Sequence, residues 1–292
     1  MRLVHFATGG LLLSGLVAIG SGSPVTLGRT AGSQIQARGE GQEPTAPEQA
    51  FIYLLNRARH DPSAYGKSIN VDLSGFPPVA PLAVNKELTA AARFRAGDMA
   101  KRNYFDHVDP DALGKMHPRT KDANTIESIN AGSESPERSL AELIIDRSDP
   151  EGGHRKHLLD ADATFPRARD IGVGMGRAGG RFRAFTVVET ACTDEEVIYI
   201  TGVVYRDKNS NRAFDAGEGL KGVTISVGDQ SVSTMASGGF SIPVKPGTIE
   251  VVCEKTPFQG RATAEVKIDK ANVHVEFVSG KPNGVVDFAK SR

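Results

Sequence analysis

The sequence lacks tryptophan, has only two cysteines, and carries no net charge, with 35 Lys and Arg set against 35 Asp and Glu in 292 residues. Two cysteines are too few for a disulfide-rich scaffold or a four-cysteine zinc site. The even charge balance argues against a nucleic-acid-binding surface, which carries a basic excess. It argues equally against a polybasic membrane-surface protein. The longest apolar run, Phe6 to Ile19, falls short of the ~20 residues that span a bilayer. What is present is 39% hydrophobic and 24% charged residues, enough to bury real cores. The length suits two domains.

The N-terminal run reads as an export signal over residues 1–22. Arg2 is its only charge, and Gly20, Ser21 and Gly22 supply small residues for cleavage. Residues 23–44 are mostly Gly, Ser, Thr, Arg and Gln and read as a flexible linker, because they cannot offset their own ordering entropy. The stretch 281–292 reads as a loose tail. The expected location is therefore secreted, extracellular or at the cell surface, with no stable transmembrane segment once the signal is cleaved. Outside the cell a lone cysteine pair is usually oxidised. A Cys192–Cys253 disulfide is expected to tie the junction of the two halves to the C-terminal one, stabilising by about 3–4 kcal/mol. The alternative is two separate buried thiols.

Residues 45–192 are helix-rich. Thr45-Ala46-Pro47-Glu48 is a capping box with proline in the first turn, followed by Phe51, Leu54, Leu55 and Ala58 on one stripe. A second helix opens at Asn85 and carries Leu88, Ala92, Ala96 and Met99; a third opens at Ser135-Pro136-Glu137. Strand-like runs come late, at Ile171 to Met175 and Phe182 to Val188. Helices first and strands last predict an α+β fold.

Polar segments punctuate this half: Phe105-Asp106-His107, Glu127-Ser128-Ile129, Gly153-His154-Arg155 and Ile171-Gly172-Val173-Gly174. Together with Leu54-Leu55-Asn56-Arg57-Ala58-Arg59, and in this order, they resemble the CAP superfamily: cysteine-rich secretory, antigen-5 and pathogenesis-related proteins, here of bacterial type. The resemblance covers about half the chain and implies a three-layer α-β-α sandwich with a cleft lined by two His and two acidic residues. His107, Glu127 and His154 fall on three of these positions, and Asp146 is the better candidate for the fourth, with Glu142 one turn earlier on the same face. Read from chemistry alone, such a cluster would suit zinc or another divalent cation, a general acid–base pair, or a buried network that only fixes loops. His154-x-x-His157 lacks the glutamate of a metallopeptidase helix, and no nucleophile elbow occurs.

Residues 195–280 change character. About seven short runs with period-two alternation, clearest in Ala264-Val266-Ile268 and Val273-Val275-Phe277, predict an immunoglobulin-like or prealbumin-like β-sandwich. Their first connection places Asp207, Asn209, Asn211, Asp215 and Glu218 at positions one, three, five, nine and twelve, with the Ala213 carbonyl at seven. That is the spacing of an EF-hand calcium loop, with Arg212 where glycine is usual and strands in place of the flanking helices. The alternative is an Asn/Asp-rich turn bonded to itself. With Gly202 to Asp207, Glu218 to Val223 and Ser237-Gly238-Gly239-Phe240, the region resembles the calcium-binding B-type repeats of bacterial surface adhesins (SdrD B-like), related to the collagen-adhesin B fold. The expected function is extracellular, non-enzymatic binding of a lipid-like small molecule, a metal or a cell-surface component. The alternatives are a secreted metal-dependent hydrolase using the four cleft residues, and a structural cell-surface protein.

Overall fold

The computed structural model describes residues 42–108, 110–111, 125–162 and 167–287. The expected signal, most of the linker and the last residues of the tail lie outside them. No helix among the described residues is long and apolar enough to cross a membrane.

The first unit mixes helix and sheet. Helix α1, Ala46–His60, starts at Thr45, whose backbone N–H donates to Glu48 Oε2 at 2.7 Å, and ends at Asp61. Asp61 in turn caps α2, Pro62–Ser68, by accepting the Ala64 N–H at 2.8 Å. Strand β1, Ala83–Val84, is fixed to α1 from inside the fold. The buried Asn56 amide exchanges two bonds with the backbone of Leu82, and Arg59 donates to the carbonyls of Ala80 and Leu158. Helix α3, Lys86–Arg102, begins at the Asn85 cap and ends at Asn103 in the left-handed region. Then follow β2, Ile126–Ala131; α4, Pro136–Ile145; α5, Gly153–Leu158; β3, Asp170–Arg177; and β4, Ala184–Ala191. The strands form one sheet in the order β1-β3-β4-β2, so β2 is an edge.

Strand alternation sends successive side chains to opposite faces. Ile171, Val173 and Val188 join α1, α4 and α5 residues (Phe51, Leu55, Leu140, Ile144, Leu158) in one core. Ile129, Phe185 and Val187 join Ala92, Ala96 and Met99 of α3 in another. On the α3 side, β3 presents Gly172, Gly174 and Gly176. A Cβ at Gly172 or Gly174 would lie only 2.1–2.2 Å from the backbone of Leu88 or Ala92. The helix backbone rests directly on the strand because nothing stands between them.

The second unit is all β: β5, Ile198–Tyr205; β6, Thr224–Val227; β7, Gln230–Ser233; β8, Gly239–Val244; β9, Gly247–Glu254; β10, Arg261–Ile268; β11, Val273–Val278; and β12, Val285–Asp287. Two four-stranded sheets, β10-β9-β6-β7 and β12-β11-β5-β8, enclose a core of Ile200, Ile225, Phe240, Val251, Val266, Val275 and Phe277, which fits a β-sandwich. Each fully buried aliphatic or Phe side chain there contributes about 1.5–3 kcal/mol.

Two expectations are corrected here. The stretch beyond residue 281 is not wholly loose: Val285, Val286 and Asp287 pair with Glu276, Val275 and His274, and Val286 packs on the core. The Cys192–Cys253 disulfide does not form, and both thiols are free. Cys253 lies on β9, fully buried between the sheets, where burial pushes its thiol up to about 12. Cys192 follows the last residue of β4 in the other unit, outside that core. The two units are instead joined by side chains. Asn272 accepts the Tyr199 N–H and donates to the carbonyls of Pro81 and Arg169, and Ala50 and Tyr53 of α1 pack on Val203, Tyr205 and Phe214.

Candidate functional site

The four predicted cleft residues form two histidine–carboxylate dyads. His107 Nδ1 lies 2.7 Å from Glu127 Oε1, and His154 Nδ1 lies 2.9 Å from Asp146 Oδ1. A carboxylate only accepts, so in each pair Nδ1–H is the donor, which leaves Nε2 as the nitrogen turned away from the carboxylate. Both carboxylates are buried, while the imidazole side chains keep 9% and 11% of their surface exposed. His157 makes the contrast: its Nδ1 meets Ser128 Oγ and its Nε2 meets Thr190 Oγ1, each at 2.7 Å. Both of its nitrogens are engaged inside the fold, bridging β2 to β4, and it reads as structural.

The second dyad is built locally. Asp146 ends α4 in the left-handed conformation, φ 50°, which Asp tolerates better than most residues. That turn lets one carboxylate accept both the His154 backbone N–H, at 2.9 Å, and Nδ1 of the same residue. The intervening loop is fixed by Asp149, which accepts the N–H groups of Gly153 and Glu151. These bonds hold its carboxyl below the usual range.

The first dyad is built by a residue outside the four expected from the sequence. Arg95 is fully buried on α3 and donates to Glu127 Oε2 through Nε at 2.9 Å. It also reaches the Tyr104 hydroxyl and, through Nη2, the carbonyl of Asp106, the residue before His107, both at 2.8 Å. Burial alone would lower its basicity, but the bond and charge of Glu127 outweigh that and raise it. Tyr104, pushed up to about 12 by burial and its bond to Asp98, stays a neutral hydroxyl. The signal was present in the sequence: Arg95 falls on the same helical stripe as Leu88, Ala92 and Met99, a charge on an apolar face. Strand β4 adds Glu189, in register with Glu127 and fully buried.

The oxygen-rich loop is tied to itself. Asp207 accepts the N–H groups of Asn211 and Arg212, Glu218 accepts those of Lys208 and Asp215, and the Asn209 and Asn211 amides both donate to Asp215 Oδ2. Its donors are oxygens only, the chemistry of a hard cation. Yet among the described residues no three His, Cys, Asp or Glu side chains are gathered as a metal would need, in this loop or at the dyads. Between Ala213 and Asp215, Phe214 is buried and meets Tyr53 of α1 and Tyr205 of β5 edge-on, with ring centroids 5.4 and 5.6 Å apart. Such pairs are worth about 0.5–1.5 kcal/mol each beyond their burial.

Residues 53–189 match the model of the cysteine-rich secretory protein family, CAP. The chain is also similar to the uncharacterized protein YkwD of Bacillus subtilis (strain 168), 30% identical over 105 residues. That stretch is 34% of this chain and 36% of the relative. Both dyads lie inside the matched segment.

Proposed function

We propose, from the CAP match over the first unit, that this is an extracellular binding protein whose ligand meets the Nε2 atoms of His107 and His154. The observation that carries the reading is the shared locking of both imidazoles through Nδ1. A carboxylate holding Nδ1–H fixes the ring and makes Nε2 a better donor to a cation or acceptor for a ligand proton. The helices on both faces of the first sheet support the three-layer α-β-α reading, and the apolar N-terminal run supports secretion. Occupants consistent with two imidazoles held through Nδ1 are zinc or a similar divalent ion, a small apolar ligand with one polar group, or a surface component. The same two nitrogens would serve a hydrolase, where one takes a proton from water. A purely structural role would leave both variants below unstable and ligand-free.

Calorimetric titration with zinc chloride tests this directly. On the metal reading the intact protein takes up zinc, and His107→Ala and His154→Ala each lose it at an unchanged melting temperature. No uptake by the intact protein removes the metal reading. A large fall in melting temperature for both variants, without loss of any binding, favours the structural one.

The second unit is proposed to be a calcium-stabilised module of the adhesin B type, with an immunoglobulin-like or prealbumin-like topology. Its support is the donor set of Asp207, Asn209, Asn211, the Ala213 carbonyl, Asp215 and Glu218. With two amides among the donors, affinity is expected in the ~10⁻⁴–10⁻³ M extracellular range. Calcium at about 5 mM then stabilises by about 1–2 kcal/mol, read as a rise of a few degrees in melting temperature. An unchanged melting curve, or the same rise in Asp207→Ala, discards it.

A further inference from the structure

A groove of about 580 Å³ runs between edge strand β2 and the outer face of α4, and none of its lining residues belongs to either dyad. Its apolar wall is short: Ala131 from the strand and Ala141 and Ile145 one turn apart on the helix. The rest of the lining is polar and unevenly satisfied. Glu142 is fully occupied, accepting from Arg138 Nε at 2.8 Å and from Asn130 Nδ2 at 3.1 Å. Because a carboxylate cannot donate, this bond fixes which end of the Asn130 amide faces it. The other end, Oδ1, is a buried acceptor with no hydrogen-bond partner. At the rim, Arg147 is exposed and has no acidic partner among the described residues, beside Ser148.

The complement of this lining is defined by what it lacks. A cation without an anion calls for a carboxylate. A wall of two alanines and one isoleucine takes one or two aliphatic side chains and is too short for a long acyl chain. A groove along an edge strand also suits an extended backbone. We propose that this groove binds the C-terminal end of a short apolar peptide: carboxylate at Arg147, backbone along edge strand β2, and side chains on Ala131, Ala141 and Ile145. It stands independently of the dyads, and loss of zinc uptake at His107 or His154 leaves it untouched.

The test is an NMR titration of the full chain with N-acetyl-alanyl-leucine and, separately, with its C-terminal amide. The free acid is expected to saturate, with shifts confined to β2 and α4, and the amide to bind about tenfold or more weakly, the effect of one lost charge-assisted bond. Arg147→Ala is expected to remove that preference, and Ala141→Leu to block both probes by filling the wall, each at an unchanged melting temperature. Four results overturn the proposal: no saturation at about 10 mM free acid, equal binding of acid and amide, binding indifferent to both substitutions, or decanoate bound ahead of the dipeptide.

Discussion

The two dyads present the same pair of atoms and are built in different ways. His154 and Asp146 are eight residues apart, and a single left-handed helix end brings them together. His107 and Glu127 are twenty residues apart and come from different elements, held by an arginine on a third. The local dyad needs one cap. The long-range dyad needs a buried ion pair, in which Glu127 divides its charge between Arg95 and His107. A chemical group repeated in a fold can thus rest on supports of very different cost.

Breaking the long-range support should have the largest effect. Arg95→Leu leaves Glu127 buried without its cation and is expected to cost about 3–5 kcal/mol, measured by denaturant unfolding. Arg95→Lys, which cannot grip Glu127, Tyr104 and the Asp106 carbonyl together, should recover only part of it. A loss under ~1 kcal/mol for Arg95→Leu would erase the contrast between the dyads.

A third imidazole sharpens the comparison from outside. His274, on β11, is fully buried against Tyr53, and burial, with the nearby Arg57 and His60 charges, lowers it to about 3. The unfolded chain therefore binds a proton that the folded one refuses. Stability is complete above about pH 6.5 and falls as pH drops toward 3, by at most ~1.4 kcal/mol per pH unit from this group. Unfolding curves of His274→Gln should be flatter across that range, and an unchanged slope would show that His274 is not the source.

The smallest effect belongs to the local dyad. Asp146→Asn keeps the left-handed turn and an oxygen for the His154 backbone N–H but loses the charge facing Nδ1. Stability should fall by about 1 kcal/mol or less, while the ring ¹⁵N shifts of His154 change and those of His107 do not. If both histidines respond, the dyads are coupled and the comparison fails.

Much of this was legible in the sequence where the cause is local. The Thr45, Asn85 and Ser135 caps are read from residue type, and Asp146 is preferred to Glu142 as the fourth cleft residue. Glu142 in the structure faces Asn130 and Arg138 instead. What stayed hidden has non-local causes. Arg95 stands out as a charge on the apolar stripe of α3, but its partner Glu127 comes from another element and is not written beside it. Strand β12 is too short to show a period and exists because β11 offers it an edge. The disulfide expectation rests on compartment and loop length, whereas in the structure Cys253 is buried in the sandwich core and Cys192 lies outside it.

The three glycines of β3 set a height. Helix α3 carries Arg95, and Arg95 carries both Glu127 and the turn into His107, so the level at which the helix lies is the level at which the imidazole is presented. A methyl group at Gly174 would meet the Ala92 backbone at 2.2 Å and raise the helix like a shim under a beam. The strand thus acts as a gauge block for a ring it never touches, and its accuracy comes from side chains that are absent.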